Sequence, residues 1–479
     1  MAVHQSDIAV QQPDVNARNP YLKGFYAAET TEHTALDLPV IGEIPKDLYG
    51  AFVRNGPNPI KPPTSPHHWF DGDGMVHGIY FENGKAEYRN RFVRSADHLA
   101  DLANGCGAGG VLLPSTRSRG EKVYKDTANT DVVLHNGELM ALWYISGTPV
   151  RLNARTLETL GDESFGGRLP RHASAHSKVD PVTGEFVFFD YSLYEPWMSY
   201  GVVSKDNELT NFTRVELPGP RLPHDMGLTK NYVILHDLPV VFTEQGLKNN
   251  LWRIHQEPRP ARFGVAPRNG SGDQIRWFET DPCYIYHVVN AWEEGDEVVM
   301  LACRMVDNGF TPNPDYGSFG SMVNVLALHA VLTEWRMNMR TGEVKQRQLD
   351  DRLTEFPAIN LNYTGQAAQW SYNVSMAPDE LQRFDGLLKY DLRTGNAEGY
   401  RYAEGHGGSE PAFAPRVGAV DEDDGYVITF VTDPATGKSE AQVLAAKAFG
   451  DGPIARIPLP GRVPAGFHGT WAPGELIRA

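Results

Sequence analysis

Four histidines fall in short segments whose composition asks for a chemical reason: His176 in SAHSKVDP, His224 in LPHDMGLT, His287 in YHVVNAWEE and His468 in GFHGTW. Neutral imidazole binds iron, zinc, copper and nickel, and a site made only of such nitrogens leaves the full charge on the metal. The four point to one metal site. The usual zinc spacings, paired cysteines or two histidines one helical turn apart, do not occur among them, so the fold must bring them together. His172 and His176 form an i, i+4 pair that offers a helical zinc alternative, but VDPVTGEF directly afterwards reads as strand and turn. His68 and His77, around WFDGDGM, are the other competitors. Of the 16 histidines, His4, His33, His98, His135, His255, His329 and His406 lack comparable surroundings and are expected to be structural.

Ligands so dispersed need elements that converge. DPVTGEFVFF at 180–189, NMRTGEV at 338–344, DLRTGNA at 391–397 and DPATGKS at 433–439 share a polar turn ending in Thr-Gly, where glycine supplies positive φ. Each is a hairpin signal. The runs YVILHDLPVVF, EVVMLACRMV and GYVITFV are rich in β-branched and aromatic residues and have the length of strands. Repeated hairpins over such a length suggest a β-propeller, although their spacing is too irregular to count blades. Innermost strands of successive blades meet at one axis, which removes the obstacle of sequence distance. Helical pattern is sparse: 95–105 (SADHLADLANG) is the best candidate, 244–256 the second, and 34 prolines and 47 glycines interrupt the rest.

Further segments carry a resemblance along almost the whole chain. NPYLKGFYA, IPKDLYGAFVRNGPNP, HHWFDGDGMVHGIYF and KDTANTDVVLHNGELMALW come first, then the histidine segments in order, with EFPAIN at 355–360 and SEPAFAPR at 409–416. Together they resemble the carotenoid cleavage oxygenases, non-haem iron enzymes that split a conjugated double bond with O2. The resemblance implies an all-β, seven-bladed β-propeller with a small helical and loop cap over the iron, as a single domain over 1–479 in which 1–20 is a flexible N-terminal segment. It implies one Fe(II) per chain, held by His176, His224, His287 and His468 with two adjacent positions open. The products would be two carbonyl compounds; a dioxetane and an epoxide-like route both stay open.

The same resemblance assigns residues around the metal. Ligand histidines commonly donate their second N–H to a carboxylate, and the matching positions place Glu355 behind His287 and Glu410 behind His468. The glutamate expected behind His224 is replaced: where relatives read LWE, this chain reads LWY, with Tyr144 at that position. Trp143 stands where the stilbene-cleaving branch has a phenol-binding lysine, and the tyrosine segment of that branch has no counterpart between Arg94 and Lys122. An apolar wall at Trp143 and Tyr144 favours a long polyene, a carotenoid or apocarotenoid, since apolar contact gains about 25 cal/mol per Å2. Thr130 sits where relatives place a small residue facing one open iron position. Three other readings remain open: a stilbenoid- or phenylpropenoid-cleaving dioxygenase, an isomerase-type relative that incorporates no O2, and a metal-free propeller binding module.

Composition bounds the partners and the compartment. A net charge of −16 and a pI near 5.5, with no basic stripe, argue against nucleic acid. Cys106, Cys283 and Cys303 are an odd number without CxxC spacing, so neither a disulfide framework nor a thiolate site is expected, and a reducing cytoplasm fits. The first residues hold no apolar run, and no stretch of about 18 apolar residues occurs, which argues against a signal peptide and a spanning helix. The expected partners are O2 and a small hydrophobic alkene; the oligomeric state stays open. Because carotenoids reside in membrane, peripheral contact at the inner membrane face is expected, through VLLP at 111–114 or VNVLALHAVL at 323–332, although core burial explains the second better.

Overall fold

The computed structural model of the protein describes residues 16, 19–63, 67–104, 125–242, 254–306, 328–379 and 381–477. Most of the expected flexible segment 1–20, the run VLLP and the greater part of 244–256 lie outside the described residues. The last residues of that second helical candidate, Ile254–Gln256, form a strand instead, paired with Val240–Phe242. The better candidate is a helix, Ala96–Asn104, whose first turn is capped by the Ser95 hydroxyl accepting from the His98 N–H.

The remaining strands form seven antiparallel sheets, the blades of a β-propeller. The strand-forming runs behave as their β-branched composition predicts: Tyr232–Asp237, Glu297–Met305 and Gly425–Asp433 are strands of three different blades. The four turns are built alike. In each, the glycine N–H (Gly184, Gly342, Gly395, Gly437) bonds back to the carbonyl of Asp180, Asn338, Asp391 or Asp433 at 2.8 to 2.9 Å. Those glycines have φ of 73°, 83°, 78° and 70°, a conformation that other residues adopt only with strain.

The innermost strands are Asp131–His135, Lys178–Val179, Gly227–Leu228, Ile285–Glu294, Thr354–Ala358, the pair Gly407–Gly408 with Ala412–Pro415, and Gly469–Pro473. The last of these closes the ring, since Gly469–Pro473 pairs with Gly50–Asn58 and Val53 faces Thr470. A second stitch pairs Ile41–Gly42 with Pro453–Pro458. Among the described residues, no helix is long and apolar enough to cross a membrane.

Candidate metal centre

Each blade delivers one of the singled-out residues to the axis, at or beside its innermost strand. Thr130, His176, His224 and His468 precede the strands that begin at Asp131, Lys178, Gly227 and Gly469; His287 and Glu355 lie within Ile285–Glu294 and Thr354–Ala358; Glu410 lies between Gly407–Gly408 and Ala412–Pro415. The four histidines meet there. His176, His287 and His468 each offer a ring nitrogen within 4.8 Å of the others. The His224 ring lies 4.7 Å from that of His176 and 5.2 Å from that of His287, centroid to centroid.

The electrostatics suit a cation. Burial holds His176, His224 and His287 well below the usual imidazole range, so all three are neutral and present lone pairs. The Nε2 atoms of His176 and His287 are buried without a hydrogen-bond partner among the described residues, a costly arrangement that a metal ion would satisfy. The Nδ1 of His287 bonds to Glu355, which also accepts the Phe356 N–H at 2.6 Å. The Nδ1 of His468 lies 3.0 Å from Glu410, whose other oxygen accepts the Gly469 N–H at 2.6 Å. Burial pushes both carboxyls above their usual range. Burial likewise opposes a charged His468, but Glu410, Asp131 and Asp225 together outweigh it and hold that imidazole above its usual value. His224 has no such partner among the described residues; the edge of Tyr286 packs on it at 4.8 Å.

Two carboxylates that the sequence reading missed hold the backbone of the site. His176 and His224 have φ of 63° and 62°, a left-handed conformation that costs a residue with a Cβ about 1 to 2 kcal/mol. Such strain persists only where neighbours enforce it. Asp131 accepts the His176 N–H at 2.9 Å. Asp225 accepts the N–H groups of Met226 and Val288 and the ammonium of Lys178, each at 2.6 Å, and so links the segments of His176, His224 and His287. Their signal was adjacency: Asp225 directly follows His224, and Asp131 opens the strand after Thr130.

A cavity beside the rings is lined by His224, His287 and His468, by Phe70, Phe356 and Phe467, and by Thr130, Tyr144, Tyr286, Leu328 and Gln382. Phe356 lies parallel to His468 at 4.8 Å and tilted against His287 at 4.7 Å. The Thr130 hydroxyl is occupied, donating to Asn129 Oδ1 at 2.8 Å and accepting the Tyr144 N–H at 3.1 Å. Tyr144 packs its ring edge-on against Phe70. Trp143 is 4% exposed and is not part of this wall, so the structure separates the two residues that the sequence grouped. A larger cavity, about 280 Å3, meets His176, His287 and His468 and is walled by Asp131, Lys178, Asp225 and Glu410.

The competing histidines are elsewhere engaged. His172 is exposed and 172–176 is not helical, which removes the i, i+4 zinc pair. His68 caps the turn Trp69–Asp71 by accepting the Phe70 N–H, and His77 shares a 2.7 Å hydrogen bond with the Tyr88 hydroxyl. Residues 25–473 match the family described as retinal pigment epithelial membrane protein. A carotenoid 9,10(9',10')-cleavage dioxygenase of Phaseolus vulgaris is 35% identical, over 97% of this chain and 91% of its own. The chain belongs to this carotenoid cleavage oxygenase family. An isoeugenol monooxygenase of Pseudomonas nitroreducens is 30% identical, covering 96% of this chain and 99% of its own. Among solved structures, the lignostilbene dioxygenase of Pseudomonas brassicacearum superposes with a TM-score of 0.85 at 29% identity, over 95% of this chain and 99% of that one. The chain is accordingly an oxygenase of this family with a seven-bladed propeller fold.

Proposed function

We propose that the protein is an Fe(II)-dependent dioxygenase that cleaves a conjugated C=C bond of a carotenoid or apocarotenoid with O2, giving two carbonyl products. The observation that carries this reading is the axial cluster of His176, His224, His287 and His468, with two ring nitrogens unpartnered and two others held by glutamates. Bound there, ferrous iron would supply the electrons that activate O2 towards an electron-rich alkene.

The protein groups have separate tasks. Glu355 and Glu410 accept the Nδ1–H of His287 and His468, which fixes each tautomer and leaves Nε2 to face the metal. Asp131 and Asp225 keep the left-handed backbone that aims His176 and His224. The rings of Phe70, Phe356 and Phe467 exclude water and give an alkene an apolar wall. With its hydroxyl tied to Asn129 and the Tyr144 backbone, Thr130 offers its methyl group as the restriction on one approach to the metal.

A second reading, cleavage of a phenylpropenoid or stilbenoid, is favoured by the full-length similarity to the isoeugenol and lignostilbene enzymes. Absence of a lysine at Trp143 weighs against a phenol bound in the manner of the stilbene-cleaving branch. Incubating the purified protein under air with carotenoids, apocarotenals, isoeugenol and hydroxystilbenes, and identifying the aldehydes, decides between them. Cleavage of the phenolic alkenes alone would overturn the carotenoid assignment and keep the dioxygenase. Isomers without incorporated oxygen would overturn both.

A further inference from the structure

Gln382 is one of the residues that line the cavity beside the histidines. It is 8% exposed, and neither Nε2 nor Oε1 of its carboxamide has a hydrogen-bond partner among the described residues. A buried amide left unbonded costs folding free energy, and a protein retains it where a ligand completes its bonds. Gln382 also borders a second recess, between Phe25, Arg54 and Trp69, so it forms part of the partition behind the ring wall.

Its position relative to the metal centre is fixed from two directions. The Gln382 carbonyl accepts the Tyr26 hydroxyl at 2.7 Å, and the Tyr26 ring packs on Trp69 at 5.1 Å. Two residues further on, Phe384 packs against Phe356 at 4.9 Å, and Phe356 stacks on His468. The backbone that carries the amide is thus tied to the ring that covers two of the histidines. Thr130, another polar residue of that wall, has its hydroxyl already bonded as donor and as acceptor.

We infer that Gln382 is a specificity-determining residue whose carboxamide receives a hydroxyl or carbonyl oxygen on the substrate, set at a fixed distance from the bond that is cleaved. This rests on the dioxygenase reading for the identity of that bond. An amide both donates and accepts, so it takes a phenol, an alcohol or an aldehyde, and it gains nothing from a hydrocarbon end. The ligand class is therefore an oxygenated conjugated alkene rather than an unsubstituted polyene.

Anaerobic binding tests this without requiring turnover. Two pairs of probes, 4-hydroxystilbene with stilbene and an apocarotenal with its deoxygenated hydrocarbon, are titrated against the whole protein by tryptophan fluorescence quenching. In one pair at least, the wild type is expected to favour the oxygenated member about 10-fold or more, as one buried hydrogen bond allows. Gln382→Met should abolish that preference by weakening only the oxygenated probe, and Gln382→Asn, which retains a shortened amide, should keep part of it. Equal affinities within both pairs for the wild type, or no binding of either oxygenated probe, overturn the inference. So does a preference that survives in Gln382→Met, or a variant that weakens both members alike, the signature of a purely structural glutamine. Because O2 is absent, failure of cleavage under air would count against the proposed reaction and leave this result readable.

Discussion

Glu355 and Glu410 do for His287 and His468 what no described carboxylate does for His224. A glutamine in either place keeps the shape but loses the charged acceptor, so Glu355→Gln and Glu410→Gln should each reduce iron affinity or turnover roughly 10- to 100-fold. Iron content after dialysis against a weak chelator, read beside kcat, checks this; unchanged values would make both carboxylates bystanders. Asp225 acts differently, through three segments at once. Asp225→Asn keeps one acceptor oxygen but cannot serve all three donors, and it leaves the Lys178 ammonium with the His176 carbonyl but without its counter-charge. Loss of iron with little change in the affinity of the remaining holoenzyme for substrate is the expected outcome, and full iron retention would confine Asp225 to the fold. The histidine segments and the glutamates behind two of them were legible because each is a local motif in a fixed order. Asp131 and Asp225 were not, because their bonds run to backbone N–H groups, some of them brought near only by the propeller.

Among the elements, the turns were the most legible and the inner strands the least. A turn such as D-P-V-T-G carries its own reasons, since the Asp180 side chain accepts the Val182 N–H at 2.7 Å and Gly184 takes the left-handed position. Lys178–Val179 and Gly227–Leu228 are two residues long, too short to show the alternation that announces a strand. The helix Ala96–Asn104 was legible from its pattern, but its anchor was not. Lys125, 2% exposed, bridges Asp101 on that helix at 2.7 Å and Asp73 at 2.6 Å, and His98 lies 3.1 Å from the same Asp73 oxygen. Lys125 also opens the KDTANT run that ends at Thr130, and Asn129 in that run donates to the carbonyls of Phe70 and Gly72. Removing the one ammonium takes the shared counter-charge from two buried carboxylates. Lys125→Met should therefore cost about 3 to 5 kcal/mol of stability. A denaturation midpoint equal to the wild type's would show that the carboxylates find other partners.

For the molecule as a whole, the metal centre and ring closure share one segment. His468 stands directly before Gly469–Pro473, the strand that completes the blade begun at Gly50–Asn58. Its N–H donates to the Thr130 carbonyl at 3.0 Å and its carbonyl accepts from Asn55, so the closing blade is joined across this histidine to the blade of Asp131–His135. The blade number escaped the sequence for the same reason: one blade is assembled from both ends of the chain, and no local repeat records that. The ring of blades stays closed only while this strand is paired. Thr470→Pro takes an N–H from the closing strand and imposes a φ that suits its ladder poorly. Open closure should loosen His468 and Glu410 together, because Glu410 also holds the Gly469 N–H. The expected result is a protein that still shows β-structure by circular dichroism, unfolds at lower temperature, and retains clearly less than one iron per chain. The double variant His287→Ala/His468→Ala supplies the comparison: it should lose iron while keeping the closing strand, and so separate loss of ligands from loss of the ring. Wild-type iron content in Thr470→Pro would show that the site survives an open propeller, and iron retained in the double variant would overturn the metal assignment itself.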